Sequence, residues 1–334
     1  MRAARLNRYD EPLEVTDLPE PEPGPGEALV RVRAAGICAT DLKLLAGDFD
    51  HVRLPLVPGH EVAGELVEPA AGLDAGTRVA CALYDSCDRC ELCLEGRPTL
   101  CPNAKRIGIE RDGGLAEYMA VPHESLLPFG DSTPFAAAAV AMDAVTTPWR
   151  ALRGRADVRA GDTVAIVGAG GLGLNAIQVA VDAGARVAAI EPHPARRELA
   201  RELGAELGVS REELDAVRSW ADGGADVALD SSGVPDGFRA AAAVLRPGGR
   251  LVCCGYRPGV DYALDSAELV LGEITVLGSR AGGREDARAA LAAVDAGRVR
   301  PPVMEELPLA GVNDALERLR AGGAVGRLVI DPAR

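Results

Sequence analysis

The sequence has no long apolar run and no excess of positive charge. Its longest apolar stretch, Phe135 to Met142, is too short to cross a bilayer, and the first residues lack the apolar core of a signal peptide. We therefore expect a cytoplasmic protein. With 36 basic against 50 acidic residues, the formal net charge is -14, which disfavours nucleic acid and anionic membrane as partners.

Aromatic residues and lysine are also scarce. Phe, Tyr and Trp make up 3% of the chain, which favours an aliphatic lining for a substrate pocket. Lys43 and Lys105 are the only lysines among the 36 basic residues. The chain has 334 residues, 48% of them apolar and 26% charged, which is the length of about two domains and the composition of an ordinary globular protein.

The pattern of apolar residues changes near residue 145. Before it, short alternating runs such as Ala28 to Ala34 are separated by Gly and Pro, as in β-rich domains. From Asp162 onward, apolar strands alternate with alanine-rich helical stretches, which predicts a parallel sheet with crossover helices. Two more helical stretches, Glu285 to Ala296 and Val312 to Ala321, precede a last strand. We predict an α/β protein with a β-rich part and a doubly wound part.

A glycine-rich segment follows directly on the strand predicted at residues 163–167, and a helix follows it. Its residues are Gly168, Ala169, Gly170, Gly171, Leu172 and Gly173. Gly168 can form the tight turn, Gly170 lets the backbone approach a pyrophosphate, and Gly173 lets the helix pack against its strand. Helix N–H groups then point at phosphate. The residues expected on the packed face of this helix are Gly173, Ile177, Ala180, Val181 and Gly184. The segment predicts a dinucleotide site.

An acidic residue ends the next predicted strand. Glu191 lies 18 positions after Gly173, where a carboxylate can accept hydrogen bonds from both ribose hydroxyls of the adenosine. The same carboxylate repels a 2′-phosphate, so the sequence favours NAD over NADP. Arg196 and Arg197 follow closely and can pair with a phosphate, which leaves NADP open.

Four cysteines crowd into residues 87–101. Cys87, Cys90, Cys93 and Cys101 can surround one tetrahedral ion with no open position, which is the pattern of a structural zinc. In a reducing compartment such crowding indicates metal more than disulfides. An iron–sulfur cluster is one alternative, although the gap before Cys101 does not match the ferredoxin spacing. A nucleic-acid-binding zinc ribbon is another, and the net charge argues against it.

Three further residues of metal-ligand type are dispersed along the chain. They are Cys38, His60 and Asp143. Taken singly, each has an ordinary structural explanation: a small buried residue, a loop histidine and a helix-capping acid.

Together these motifs resemble those of the zinc-dependent medium-chain alcohol dehydrogenases. The resemblance extends over nearly the whole chain and rests on residues 36–43, 59–61, 87–101, 112–118, 168–173, 326–327 and the region of Asp143. It implies a GroES-like catalytic domain at residues 1–145 and a Rossmann NAD-binding domain at 146–284, with residues 285–334 returning to the catalytic domain. It also implies two zinc ions per chain and a homo-oligomer, either a dimer or a tetramer.

The resemblance assigns roles around the catalytic zinc. Cys38, His60 and Asp143 correspond to its three protein ligands, with Asp143 where many relatives have Cys. The fourth position is then open for water or substrate. Because a carboxylate is a harder ligand than a thiolate, we expect weaker zinc retention here than at the four cysteines.

Further roles follow from the same resemblance. Thr40 corresponds to the hydroxyl that takes the alcohol proton, Asp41 orients His60, and Glu61 lies behind the metal. Lys43 departs from the family, since several relatives have a relay histidine there. Thr147 is expected beside the nicotinamide and Arg327 at the cofactor pyrophosphate.

The resulting expectation is an oxidoreductase that transfers hydride between a secondary alcohol or polyol, or its ketone, and NAD. A primary-alcohol or aldehyde reductase of the same family is the alternative among enzymes. A non-catalytic sensor that binds NAD and zinc is the alternative from another functional class.

Overall fold

The computed structural model describes residues 1–49 and 51–334, and these residues form two compact units. The first unit comprises Met1–Thr146, Gly282–Gly297 and Pro301–Arg334, and the second comprises Thr147–Ala281 with Arg298–Arg300. Within the described part of the chain, none of the helices is both long and apolar enough to span a bilayer.

The strands fall into two sets, one in each unit. In chain order they are β1 (Arg2–Arg5), β2 (Glu14–Asp17), β3 (Glu27–Ile37), β4 (Glu61–Leu66), β5 (Arg78–Cys81), β6 (Tyr84–Asp85), β7 (Lys105–Arg106), β8 (Tyr118–Pro122), β9 (Leu126–Pro128), β10 (Thr163–Val167), β11 (Arg186–Ile190), β12 (Leu207–Val209), β13 (Ala225–Asp230), β14 (Leu245–Cys253), β15 (Thr275–Gly278), β16 (Val303–Pro308) and β17 (Arg327–Asp331). Strands β10 to β15 belong to the second unit and the others to the first.

The helices connect these strands or pack against them. In chain order they are α1 (Ala39–Leu45), α2 (Glu91–Leu94), α3 (Phe135–Val140), α4 (Thr146–Trp149), α5 (Gly171–Asp182), α6 (Pro194–Glu202), α7 (Leu214–Trp220), α8 (Pro235–Ala243), α9 (Ser266–Leu271), α10 (Arg284–Asp295) and α11 (Val312–Arg320). Residues Ala141–Val145 and Arg150–Arg155 are π-helical, and short 3-10 turns occur at Pro98–Leu100, His123–Ser125, Arg211–Glu213 and Leu309–Gly311.

A mixed sheet organises the first unit, with strand order β16-β17-β3-β4-β5-β9 and with β8 also paired to β3. Every pair in it is antiparallel except β16–β17. Val30 and Val32 of β3 point to one face, where they pack with Val62 and Val79. Burying each such side chain contributes about 1.5–3 kcal/mol, so this alternation fixes which residues face the core.

A parallel sheet organises the second unit, with strand order β12-β11-β10-β13-β14-β15. Residues 164–167 of β10 and 227–229 of β13 are continuous apolar runs, as expected for central strands because helices cover both faces of such sheets. This is the order of a Rossmann fold, and its crevice lies outside the carboxyl ends of β10 and β13. The expected parallel sheet with crossover helices is confirmed.

One residue of helix α5 differs from its expected placement. Ile177 and Ala180 are fully buried, as expected, but Val181 is 41% exposed. Gly184 is also exposed and lies beyond the end of the helix at Asp182. Successive side chains of a helix point in directions about 100° apart. Ala180 therefore lies on the buried face, whereas Val181 lies outside it.

Candidate metal centres and dinucleotide site

Three separate segments of the first unit bring Cys38, His60 and Asp143 together. Cys38 caps the N-terminus of α1 directly after β3, His60 immediately precedes β4, and Asp143 lies in the π-helical segment after α3. All three side chains are buried. The Asp143 Oδ2 atom lies 3.4 Å from Cys38 Sγ and 3.7 Å from His60 Nε2.

This spacing fits a tetrahedral zinc ion. With metal–ligand bonds of about 2.0–2.3 Å, tetrahedral geometry separates the donor atoms by about 3.3–3.8 Å. His60 Nε2 is buried and has no hydrogen-bond partner among residues 1–49 and 51–334. Buried nitrogen atoms are nearly always paired, so this one is arranged for a metal rather than for a protein group.

Asp143 reaches the site because the helix changes its winding. Helix α3 ends at Val140, and residues Ala141–Val145 continue as a π-helix in which Thr146 Oγ1 donates a hydrogen bond to the Ala141 carbonyl at 2.7 Å. Such π-helical insertions occur often at functional sites. The alanine-rich sequence gives no sign of this widened turn.

Asp41 holds two of these residues with one carboxylate. Its Oδ2 accepts the Cys38 backbone N–H at 2.8 Å, and its Oδ1 lies 3.2 Å from His60 Nδ1. Burial lowers the pKa of His60, but Asp41 and Asp143 outweigh that effect and raise it well above its usual value. The site therefore attracts a cation, and a metal must displace the proton to bind.

The four-cysteine segment forms a second centre. The Sγ–Sγ distances are 3.5 Å for Cys90–Cys93, 3.8 Å for Cys90–Cys101 and 3.4 Å for Cys87–Cys101, close to the roughly 3.8 Å of a tetrahedral zinc–thiolate site. None of these four cysteines forms a disulfide bond. Backbone N–H groups of Arg89 and Cys90 lower the pKa of Cys87 to about 6, so it is a thiolate at neutral pH.

The glycine-rich segment has the backbone that a pyrophosphate requires. Gly168 has a φ of +86°, in the left-handed region, and a Cβ on Gly173 would lie 1.7 Å from the Gly168 carbonyl oxygen. A Cβ on Gly170 would instead face open space. Gly170 caps α5 without a side-chain hydrogen bond, so the first helical N–H groups are free of side-chain caps. The segment fits a phosphate at the helix N-terminus.

Glu191 is fixed at the end of β11. Its Oε2 accepts the Ala169 N–H at 2.7 Å and its Oε1 accepts the His193 N–H at 3.0 Å. Arg196 lies 3.9 Å from Oε1. Each carboxylate oxygen has a second lone pair, so the group can still accept hydrogen bonds from a ligand.

Comparisons with known proteins agree with this arrangement. The family model described as alcohol dehydrogenase GroES-like domain matches residues 24–131, and that described as zinc-binding dehydrogenase matches residues 171–296. An alcohol dehydrogenase of Geobacillus stearothermophilus is 35% identical over 337 residues, which cover 99% of this chain and 98% of the relative. The chain belongs to the zinc-dependent medium-chain alcohol dehydrogenases.

Solved structures show the same relationship. An NAD-dependent alcohol dehydrogenase superposes with a TM-score of 0.94 at 31% identity, covering 99% of both chains. A cobalt- and zinc-bound thermostable alcohol dehydrogenase from Pyrobaculum aerophilum gives 0.90 at 32% identity, again covering 99% of both chains. The predicted family, the GroES-like and Rossmann fold class and the assignment as an oxidoreductase are confirmed. A small-molecule alcohol or carbonyl compound is the substrate.

In this dehydrogenase, Arg327 contacts the metal centre. Its Nε lies 3.1 Å from both carboxylate oxygens of Glu61, its terminal nitrogen also binds Glu61, and that nitrogen lies 3.4 Å from Asp143 Oδ2. Both side chains are buried. Burial raises the pKa of Glu61 to about 7, although Arg327 lowers it. A contact between Arg327 and the cofactor pyrophosphate stays a prediction.

Gly36 makes room for this pair, a role that the sequence did not reveal. Gly36 and Glu61 are register partners on β3 and β4. A Cβ on Gly36 would lie 2.0 Å from Glu61 Oε2. Gly36 lies inside the observed strand β3, and a glycine within a strand is the signal that points to such a close approach.

A second group of glycines positions His60. Gly59 has a φ of +98°, and a Cβ on Gly108 or Gly113 would lie 2.5 Å or 2.1 Å from its backbone. The segment around Asp112, which carried part of the resemblance, therefore interlocks with the turn before the ligand. Asp112 Oδ1 also accepts the Val57 N–H at 2.8 Å, which ties the two segments together.

The remaining predicted residues are Thr40, Lys43 and Thr147. Thr40 and Lys43 lie on α1, one helical turn apart, and both are half-buried. Thr147 is buried in α4, directly after the π-helical segment. Their predicted roles stay predictions.

Proposed function

We propose that this chain is an NAD-dependent zinc alcohol dehydrogenase that oxidises a small or medium secondary alcohol or polyol, or reduces the matching ketone. The observation that carries the proposal is the convergence of Cys38, His60 and Asp143 around a buried imidazole nitrogen that has no hydrogen-bond partner among the described residues. Zinc at such a site supplies a Lewis acid for the substrate oxygen, and NAD supplies the hydride acceptor.

In this proposal, residues of the first unit hold the metal ion and transfer the alcohol proton. Asp41 orients His60 and anchors Cys38, so the donor atoms are held before a metal arrives. Glu61 is kept in an ion pair with Arg327. A Thr40 hydroxyl can accept a proton and donate its own, as a relay requires. Ribose hydroxyls and water complete the proposed path toward solvent, and Lys43, on the same helix, is either solvated or near the cofactor ribose.

A second set of residues binds the cofactor in this proposal. The backbone of residues 168–173 receives the pyrophosphate, Glu191 accepts the ribose hydroxyls, and Arg196 stands beside it. Thr147 contacts the nicotinamide and Arg327 the pyrophosphate. We retain the domains 1–145, 146–284 and 285–334. The division into two compact units supports this proposal, except that Arg298–Arg300 belong to the second unit.

The secondary-alcohol assignment rests on Asp143. A carboxylate in place of a thiolate hardens the ligand set, as in the family members that it resembles, which commonly act on secondary alcohols. A panel of primary, secondary and cyclic alcohols, followed by NADH absorbance, tests this. Preference for primary alcohols would favour the reductase alternative.

The variant Asp143→Ala tests the metal assignment. We expect zinc content to fall from two ions to one per chain and turnover to collapse, since only the four-cysteine centre is untouched. Metal analysis of the purified protein measures the first and NADH absorbance the second. Asp131→Ala is the control, because the Asp131 side chain is fully exposed. Undiminished turnover in Asp143→Ala would contradict the ligand assignment.

Two zinc ions with no turnover on any member of the panel would favour the sensor alternative. In that case NAD binding would persist without reduction of the cofactor. The cytoplasmic location expected from the sequence stays a prediction.

Homo-oligomerisation through the second unit is part of the proposal. Strand β15 is one edge of the parallel sheet. Val276 on this strand is exposed, as are Val270 and Leu271 on α9. An exposed apolar edge strand is suited to pairing with the same edge of a second copy. Light scattering should give a multiple of the chain mass that falls in Val276→Lys. Met304→Lys, on β16, is the matched control.

A further inference from the structure

A cluster of hydrogen bonds around Asp230 lies in the half of the Rossmann crevice that faces β13 and β14. In this fold each half of the sheet serves one mononucleotide. Glu191 marks the adenosine half at the end of β11, so the ends of β13 and β14 belong to the other half. Asp230 ends β13, with Val167 of β10 and Cys253 of β14 as its register partners. It therefore stands at the point where the strand order reverses.

The Asp230 side chain is buried, so its carboxylate oxygens require hydrogen-bond donors. Its Oδ1 accepts the backbone N–H of Ser232 at 2.9 Å and the Ser232 hydroxyl at 2.5 Å. Its Oδ2 lies 3.4 Å from the Tyr262 hydroxyl. Its backbone carbonyl accepts the N–H groups of Cys254 and Gly255 at 3.0 Å and 3.1 Å.

Tyr262 closes this cluster from an irregular segment. Residues 254–265 have no helix or strand, and residues 256–261 are exposed throughout. The Tyr262 ring stacks on Phe238 of α8, with centroids 4.5 Å apart and planes at 8°. Its hydroxyl also lies 3.1 Å from the Gly255 carbonyl oxygen. One proton is thus shared between an acceptor on β13 and an acceptor at the start of the segment.

Close contacts connect the start of the segment that contains Tyr262 to the glycine-rich segment at residues 168–173. A Cβ on Gly255 would lie 2.5 Å from the Gly233 nitrogen, and a Cβ on Gly233 would lie 2.7 Å from the Tyr256 nitrogen. The Ser231 hydroxyl is 2.9 Å from the Gly168 carbonyl oxygen. The turn after β14 therefore contacts the turn after β13, and the turn after β13 contacts the turn after β10.

We propose that Tyr262 is a positioning residue that holds the Gly255–Tyr256 backbone against the end of β13 and so shapes the nicotinamide half of the dinucleotide site. The inference rests on the proposed function, because it takes NAD as the ligand. Tyr262 acts through the backbone of its neighbours, and the adenosine half is held independently by Glu191 and the Gly170 end of α5.

The variant Tyr262→Phe tests this, since it removes the hydroxyl and keeps the stacked ring. NADH affinity is measured by fluorescence titration and ADP affinity by calorimetry, because ADP carries the adenosine and pyrophosphate without the nicotinamide nucleotide. We expect NADH binding to weaken about threefold to tenfold, the effect of one hydrogen bond, while ADP binding changes less than about twofold. The KM for NAD should rise in parallel.

Tyr9→Phe is the matched control. The Tyr9 hydroxyl also donates to a backbone carbonyl, that of Val52, at 3.0 Å, but in the first unit. NADH and ADP binding should both be unchanged in it. Thermal unfolding of both variants checks that each is folded.

Three results overturn the inference in distinct ways. Unchanged NADH binding in Tyr262→Phe removes the positioning role, and an equal loss of NADH and ADP binding shows general loosening instead. If the wild-type protein binds neither NADH nor ADP, the proposed function itself fails and this inference fails with it.

Discussion

Replacing Gly36 by alanine should break the buried Glu61–Arg327 pair. The new Cβ would lie 2.0 Å from Glu61 Oε2, whereas ordinary contact begins at 3.4 Å, so the carboxylate must move by about 1.4 Å. The Arg327 Nε is 3.1 Å from both carboxylate oxygens and cannot follow without leaving Asp143. Breaking a buried ion pair costs about 3–5 kcal/mol.

The expected cost lies at the lower end of that range because the arginine keeps Asp143 as a partner. A loss of about 3 kcal/mol corresponds to a fall in Tm of about 6–12 °C for a domain of this size. Because Arg327 also contacts Asp143, a displaced Arg327 disturbs this metal ligand. We therefore expect the variant to lose the catalytic zinc and to retain the zinc of the four cysteines. Differential scanning calorimetry measures the first effect and metal analysis the second.

Gly323→Ala is the control for this prediction. Gly323 is also in the first unit, but a Cβ there would make only an ordinary contact, 3.6 Å from the Arg318 carbonyl oxygen. Its Tm should stay within about 2 °C of the wild type. If Gly36→Ala behaves like Gly323→Ala in both measurements, the close approach of Gly36 to Glu61 does not hold the pair in place.

Two further predictions concern the second unit. Glu191→Ala should raise the KM for NAD about tenfold or more and improve the use of NADP, because it removes the ribose acceptor and keeps the Arg196 guanidinium near the position of a 2′-phosphate. Kinetics with both cofactors measures this, and an unchanged NAD preference would contradict the role of Glu191. Burial raises the pKa of Asp226, but hydrogen bonds from Thr163 and Arg246 outweigh it and lower the pKa below its usual value of 3.8. A lowered folded-state pKa contributes stability above about pH 4, and this stability disappears as the pH falls through the folded-state pKa. The free energy of unfolding, measured with denaturant from pH 6 to pH 2, should therefore depend less on pH in Asp226→Asn. An identical pH dependence in the variant and the wild type would count against the linkage.

Much of the fold was readable from local pattern. The change from short alternating strands to alternating apolar strands and helices predicted both units, because the periodicity of buried residues follows the geometry of each element. Val181 was placed wrongly on the packed face of α5, since periodicity alone does not fix where that face ends.

The candidate site was less evenly predictable. The four cysteines and the glycine-rich segment are contiguous, so spacing alone suggested their chemistry. Cys38, His60 and Asp143 are remote from one another and were grouped only through a family resemblance. The π-helical turn that delivers Asp143 and the glycine contacts that position His60 left no periodic signal.

The sequence by itself determined which elements form, where a closed metal site and a phosphate-binding turn lie, and which family motifs the chain carries, because each depends on neighbours along the chain. The tertiary structure alone decided that Arg327 pairs with Glu61 across 266 positions, that Gly36 makes room for that pair, and that Tyr262 reaches Asp230. These contacts join strands and loops that only sheet pairing and packing bring together, and local propensity contains no information about such partners.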